Sequence, residues 1–155
     1  MDFQRLDEID FYSDCQSVAS SLGYTVVEVK CSRLKTQSRF SVVITRPVGD
    51  DNFLVPLGTD DCGKVHQILL QRLEVILPNS DIYLEVSTPG SERQIRHGGE
   101  FSLFIGRKAR IWYSQCSDWI YGKIISCDET NLEMEIDGTK QSFLLEGIAK
   151  AKLTS

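Results

Sequence analysis

Between residues 5 and 22 the apolar positions recur at helical spacing. Cys15, Val18, Ala19 and Leu22 follow the i, i+3, i+4, i+7 rule, with Leu6, Ile9 and Phe11 or Tyr12 upstream. Gly23 stands where a left-handed residue would close that helix. The period then drops to two. In YTVVEVKC, Val27, Val29 and Cys31 share one face while Glu28 and Lys30 take the other, the pattern of a half-buried strand. After the polar turn SRLKTQS, RFSVVITR alternates through Phe40, Val42 and Ile44, which predicts an antiparallel hairpin with Arg33, Lys35 and Arg39 around its loop. Residues 47–58 hold two prolines and two glycines without a clean period, so they read as a loop. Thr59-Asp60-Asp61 opens the most regular helix of the chain. Thr59 is placed to cap it, and the two acids favour the positive end of its dipole. Its stripe is Cys62, Val65, Leu69, Leu70, Leu73 and Ile76 or Leu77, and Pro78-Asn79 stops it. DIYLEVS follows as a strand with Ile82, Leu84 and Val86 inward. Helix, strand, strand, helix, strand predicts a two-layer α/β domain over residues 1–88.

The second half has a different texture. After the apolar FSLFIG come ARIWY, WIYGKIISC, LEMEI, SFLL and IAKAKL, separated by polar or glycine-containing turns. Asp137-Gly138 is a strong tight-hairpin pair. Five short strands without a long helix predict a small antiparallel β-barrel over residues 101–155, making the whole chain α+β. Thr88-Pro89-Gly90 falls where one texture gives way to the other. Pro89-Gly90 suits the centre of a type II turn, in which glycine supplies the positive φ. Residues 89–100 then read as a linker, with Gly98-Gly99 adding looseness.

Composition changes this picture little: 41% hydrophobic and 25% charged residues are ordinary for a globular chain. The apolar runs are interrupted by charge, and none approaches the ~20 residues of a membrane helix. The N-terminus, MDFQRLDEID, lacks the basic-then-apolar order of a secretory signal, so the expected location is cytoplasmic. Five cysteines form no CxxC pair and read as small buried hydrophobes. His66 and His97 are far apart and not close in sequence to any cysteine, so no metal site is expected.

Charge matters more. Residues 1–87 hold 8 basic and 13 acidic side chains (8 − 13 = −5), whereas residues 88–155 hold 9 of each. Within the second half, Arg93, Arg96, Arg107, Lys108 and Arg110 fall in one stretch with Glu100 as the only acid. This seam is a candidate contact for RNA phosphate, against the plainer reading of Arg93 and Arg96 as solvated linker charges. The aromatics Trp112, Tyr113, Trp119 and Tyr121 could fill a barrel or stack on a partner. By alternation each of the two strands should expose at least one aromatic edge, and Trp119, following the polar SQCSD loop, is expected to be exposed.

Catalytic patterns are missing. No GxxxxGK, GxGxxG or GxSxG occurs, so no cofactor is expected. Ser87, Ser91 and His97 sit on a glycine-flanked linker, a poor platform for a triad. Asp60-Asp61 is accounted for by its helix N-terminus, and His66, beside Val65 and Leu69, by a place at the edge of the core. The expected protein is not an enzyme.

YLEVSTPGSERQIR at 83–96 resembles the signature of the bacterial ribosome maturation factor RimP family, in which a YxLEVSSPG-type strand leads into a hydrophobic-Asp-Arg-Pro-Leu tail. SLGYTVVEV at 21–29, TDDCGKV at 59–65, FIGRKARI at 104–111 and GIAKAKL at 147–153 resemble further family segments, in the family's order. Departures cluster in the signature's tail: Ser91, Glu92 and Gln94 depart from it, whereas Arg93 is retained. The resemblance implies an N-terminal α/β domain and a C-terminal SH3-like (Sm-like) barrel. It also implies a monomeric, non-enzymatic factor that binds the immature small (30S) ribosomal subunit near the decoding centre. Its partners would be a basic small-subunit protein and 16S rRNA. The competing reading is a free-standing RNA-binding module whose basic seam (Arg93, Arg96, Arg107, Lys108, Arg110), with Trp119, is the main surface.

Overall fold

A computed structural model describes residues 1–154. The chain divides into two compact units, Asp7–Pro89 and Met1–Leu6 with Gly90–Ser155. The first six residues therefore belong with the C-terminal unit, which the sequence pattern did not suggest. Met1, Asp2 and Gln4 run against its segments: the Met1 ammonium donates to the carbonyls of Leu145 and Ile148 at 2.7 and 2.8 Å, and Gly98 N–H donates to Asp2 O at 2.7 Å.

The α/β unit begins within a short 3-10 turn, Leu6–Glu8. The single helix expected across residues 5–22 is broken at Phe11, whose φ of 65° is left-handed and cannot continue an α-helix. The Phe11 ring meets Phe40 edge-on at 5.1 Å, a packing contact that helps offset the backbone strain. Helix α1 is Tyr12–Ser21, with Tyr12, Cys15, Val18 and Ala19 buried. Leu22, expected in that stripe, is exposed because the helix has already ended. Gly23, at φ 90°, turns the chain as expected.

Strands β1 (Thr25–Arg33), β2 (Gln37–Thr45) and β3 (Asp81–Ser87) form a sheet in the order β1-β2-β3. β1 and β2 pair antiparallel; β2 and β3 pair parallel, joined through helix α2, Thr59–Ile76. Val26 is unusually well held beside a bulge in β1: its carbonyl accepts from the Tyr12 hydroxyl at 2.6 Å, and its N–H donates to Gln16 Oε1 at 2.7 Å. Val65, Leu69 and Leu73 of α2 are fully buried, as the stripe predicted. Thr59 does not cap this helix. Gly58 is the N-cap, and its N–H donates to the Asp61 carboxylate at 2.8 Å. Asp61 also accepts from the Tyr24 hydroxyl; that bond, then the Gly58 bond, holds its pKa below the usual carboxylate value.

The second unit carries strands β4 (Lys108–Tyr113), β5 (Asp118–Cys127), β6 (Asn131–Ile136), β7 (Thr139–Leu144) and β8 (Ile148–Leu153). They form an antiparallel, barrel-like sheet in the order β7-β6-β5-β4-β8. Its core is Phe101, Phe104, Ile111, Ile124, Leu132, Met134, Ile148 and Leu153. Asp137 and Gly138 join β6 to β7 with φ of 50° and 80°, the two positive values a tight primed hairpin turn requires. The five expected strands are all present.

Residues 89–100 depart from the linker expected. Gly90 lacks a positive φ, so Pro89-Gly90 is not a type II turn; the chain turns two residues later, with Arg93 N–H on Gly90 O at 3.1 Å. Residues 93–95 then lie along β8. Leu153 N–H donates to Arg93 O, Ile95 N–H donates to Ala151 O, and Gln94 bridges to Lys152. Gly98 and Gly99 open a 3-10 helix, Gly98–Phe104, and are buried. A Cβ on Gly99 would come within 2.1 Å of Gln4 O, so this glycine permits a close backbone approach and adds no looseness.

Candidate functional site

β4 lies between β5 and β8, and its alternation sorts its residues by face. Ala109, Ile111 and Tyr113 are buried, which turns Lys108, Arg110 and Trp112 outward. Residues directly opposite each other in an antiparallel ladder share a face. Lys108 is opposite Lys123, Arg110 opposite Tyr121, and Trp112 opposite Trp119. On the other side, Arg110 is opposite Lys152 and Trp112 opposite Lys150. The outward face of β8-β4-β5 thus gathers the cations Lys108, Arg110, Lys123, Lys150 and Lys152 around Trp112, Trp119 and Tyr121.

The aromatics are layered. The Arg110 guanidinium lies 4.7 Å from the centre of the Trp119 ring, and Trp119 meets Trp112 edge-on at 5.6 Å. Such an Arg–Trp contact contributes about 0.5–1 kcal/mol at an exposed site and holds the cation over the ring. Tyr121 is 57% exposed. The ordering expected of the aromatics is therefore reversed: Trp119 is half-covered because Arg110 and Trp112 pack on it, and Tyr121 is the open ring. Beyond Lys123, Glu135 of β6 is next in register, with Lys140 of β7 opposite it.

The six residues singled out in the sequence part company. Lys108, Arg110 and Trp119 come together on this face. Arg96 is exposed two residues beyond Gln94. Arg107 precedes β4, with its guanidinium 6.0 Å from the centre of the Phe104 ring, and burial lowers its pKa. Arg93 is withdrawn from the candidate contacts. Its Nε and a terminal nitrogen sit 2.9 and 2.8 Å from Glu100 Oε1, with the two side chains only 9% and 1% exposed. Arg96 N–H donates to the other Glu100 oxygen at 2.9 Å. A buried carboxylate needs its charge matched and its lone pairs filled, and Arg93 does that work. Lys123, Lys150 and Lys152 were missed. The outward alternation of Lys150 and Lys152 was readable in IAKAKL, and that of Lys123 in WIYGKIISC, but the pairing of β8 with β4 joins distant parts of the chain.

A second candidate lies in the α/β unit, in an open cleft of about 510 Å³ lined by Gly58, Thr59, Cys62, His66, Val86 and Ser87 among others. Cys62 and His66 could suggest a thiol nucleophile. The Cys62 thiol is pushed up by burial and then by the Asp61 charge, which disfavours thiolate at neutral pH. His66 Nε2 is 2.9 Å from the Leu84 carbonyl, so that nitrogen carries the hydrogen and the ring serves the core edge, as its sequence position predicted. The cysteines are free. Cys15 is buried, but Cys116 is exposed at the β4–β5 turn, against the expectation of a buried residue.

Comparison with known proteins places the chain. The RimP N-terminal domain family matches residues 14–92, just over half of the sequence. The chain belongs to the RimP family. Relatives along nearly its whole length carry the name ribosome maturation factor RimP. One from Borrelia turicatae is 28% identical over 96% of this chain and 97% of its own. One from Borrelia hermsii is 28% identical over the same shares, and one from Borreliella afzelii is 26% identical over 97% of each. The resemblance that spanned both halves of the sequence is thereby shown. In the structure two of the RimP-like segments fall on this face. FIGRKARI carries β4 and IAKAKL carries β8, the two strands that supply Lys108, Arg110, Lys150 and Lys152. The arginine retained from the family signature, Arg93, is the one that neutralises Glu100.

Proposed function

We propose that this RimP-family protein binds the immature small (30S) ribosomal subunit near the decoding centre and assists its assembly, as a cytoplasmic monomer and without catalysis. The observation that carries the reading is the match to ribosome maturation factors over 96% of the chain. Two surfaces suit two kinds of partner. Residues 1–87 carry an excess of five negative charges (8 − 13 = −5), which steers a basic small-subunit protein and repels RNA. The β8-β4-β5 face, rich in lysine, suits 16S rRNA. No helix is long and apolar enough to cross a membrane among the described residues. Sedimentation of the purified protein with free 30S subunits and with 70S ribosomes tests the reading. Association with free subunits and not with 70S ribosomes is expected; equal association with both overturns it. The basic face also favours a second reading, a free-standing RNA-binding module. That reading prevails where naked 16S RNA binds more tightly than any small-subunit protein does.

A further inference from the structure

We infer that the outward face of β8-β4-β5 binds an unpaired stretch of RNA, stacking neighbouring bases on Tyr121 and on the Arg110–Trp119 layer. Lys108, Lys123, Lys150 and Lys152 hold the phosphates. The inference rests on the reading above, in which ribosomal RNA is one of the partners.

Charge alone would suit any polyanion, so the aromatics decide. Tyr121 is 57% exposed on β5, with Arg110 of the central strand β4 directly opposite. An exposed ring flanked by cations is of little use to a duplex, whose bases are turned inward and whose outside is sugar and phosphate. It is useful to a base that has left its stack, at about 1–3 kcal/mol per stacked base. A guanidinium resting on an indole extends the same platform, because bases stack on arginine planes as well as on rings. Spacing points the same way. Trp119 and Tyr121 are two residues apart on β5, about 6.6–6.8 Å along a strand. Stacked bases repeat at about 3.4 Å per strand, so a chain lying across both positions must open between its bases. The cations border the aromatics along β8, with Lys150 and Lys152, and at one end, where Lys108 of β4 faces Lys123 of β5. Glu135 of β6 sets an acid between Lys123 and Lys140 of β7, which is opposite it in register.

The chain supplies its own reporter. Its only two tryptophans, Trp112 and Trp119, are both on this face, so tryptophan emission reads this surface and no other. The test titrates the full-length protein with a short oligouridylate, with a fully paired RNA duplex of the same length and with polyglutamate, following tryptophan emission. Oligouridylate should quench the emission and bind about tenfold or more tightly than the duplex, the equivalent of one stacked base. Tyr121→Ala, at an exposed position, should weaken oligouridylate binding about five- to a hundredfold, and Tyr121→Phe should restore it. Lys150→Glu with Lys152→Glu should lower the log–log salt slope by about 1.4. Duplex binding as tight as single-strand binding overturns the inference, as does equal quenching by polyglutamate. So does a Tyr121→Ala protein that binds like the wild type. Oligouridylate binding with no association to free small subunits overturns the maturation reading and leaves this one standing. Association with free subunits and no oligouridylate binding does the reverse.

Discussion

Each unit of the protein lays an arginine over an aromatic ring on the open side of a sheet, and the two settings carry opposite charge. In the barrel-like unit Arg110 covers Trp119 at 4.7 Å, among Lys108, Lys123, Lys150 and Lys152. In the α/β unit Arg39 lies 5.6 Å from the centre of Tyr83, its direct partner across β2 and β3. Tyr83 is 52% exposed, nearly as open as Tyr121. Its neighbours on the same side of β3 are Asp81 and Glu85, both exposed, and the nearby Lys30 is paired with Glu28 at 3.3 Å. The stacking device is therefore the same, and it selects no partner by itself. The charges around it decide whether a phosphate chain can approach.

The largest expected effect separates the arginines of the basic seam from one another. Arg93→Ala leaves Glu100 charged and buried without its partner, and should destabilise the barrel-like unit by about 3–5 kcal/mol. Urea unfolding followed by tryptophan emission measures it. Arg110→Ala should instead cost only about 0.5–1 kcal/mol, for its contact with Trp119. Lys108→Ala should leave stability nearly unchanged and reduce the log–log salt slope of RNA binding by about 0.7. A salt slope altered by Arg93→Ala in protein that is still folded would break this division.

A smaller effect comes from converting the acidic setting into the basic one. Asp81→Lys with Glu85→Lys surrounds Tyr83 with cations, as Tyr121 is surrounded, and should give the α/β unit a measurable affinity for oligouridylate. Because the added site lacks tryptophan, fluorescence anisotropy of labelled RNA is the appropriate measurement. No gain in binding, with the fold intact by circular dichroism, would show that charge setting is not what distinguishes the two faces.

The smallest effect is one of pH and concerns Tyr12 in the α/β unit. Burial pushes the Tyr12 hydroxyl up to about 12, so the folded state holds it neutral where the unfolded chain would ionise. A raised folded pKa gives stability that is complete below the unfolded value of 10.0 and lost as pH rises towards about 12. Tyr12→Phe should flatten the fall in urea midpoint across that window while forfeiting about 1 kcal/mol for its bond to Val26 O. An unchanged alkaline slope would place the sensitivity elsewhere.

Local pattern carried much of this to the surface of the sequence. The Asp137-Gly138 turn, the α2 stripe through Val65, Leu69 and Leu73, and the outward Lys108 and Arg110 are each set by neighbours a few residues away. What stayed hidden depends on distant pairings. Arg93 looks like a linker charge until the 3-10 turn after His97 brings Glu100 back onto it. Gly98-Gly99 looks loose until Gln4 is found against it. Lys150 and Lys152 alternate visibly with Ala151 and Leu153, yet nothing local says that β8 lies beside β4. Phe11 shows the same limit inside one helix, since its left-handed backbone is held by a ring contact with Phe40, far along the chain.

The most direct measurement is sedimentation with free 30S subunits, comparing the wild-type protein with the Lys150→Glu, Lys152→Glu variant. Both lysines lie on the outward side of β8 and neither is part of the core, so the variant should fold. The account predicts that the wild type travels with free 30S subunits and not with 70S ribosomes, and that the variant largely remains at the top of the gradient at moderate salt. A folded variant that travels with 30S subunits as completely as the wild type would contradict it.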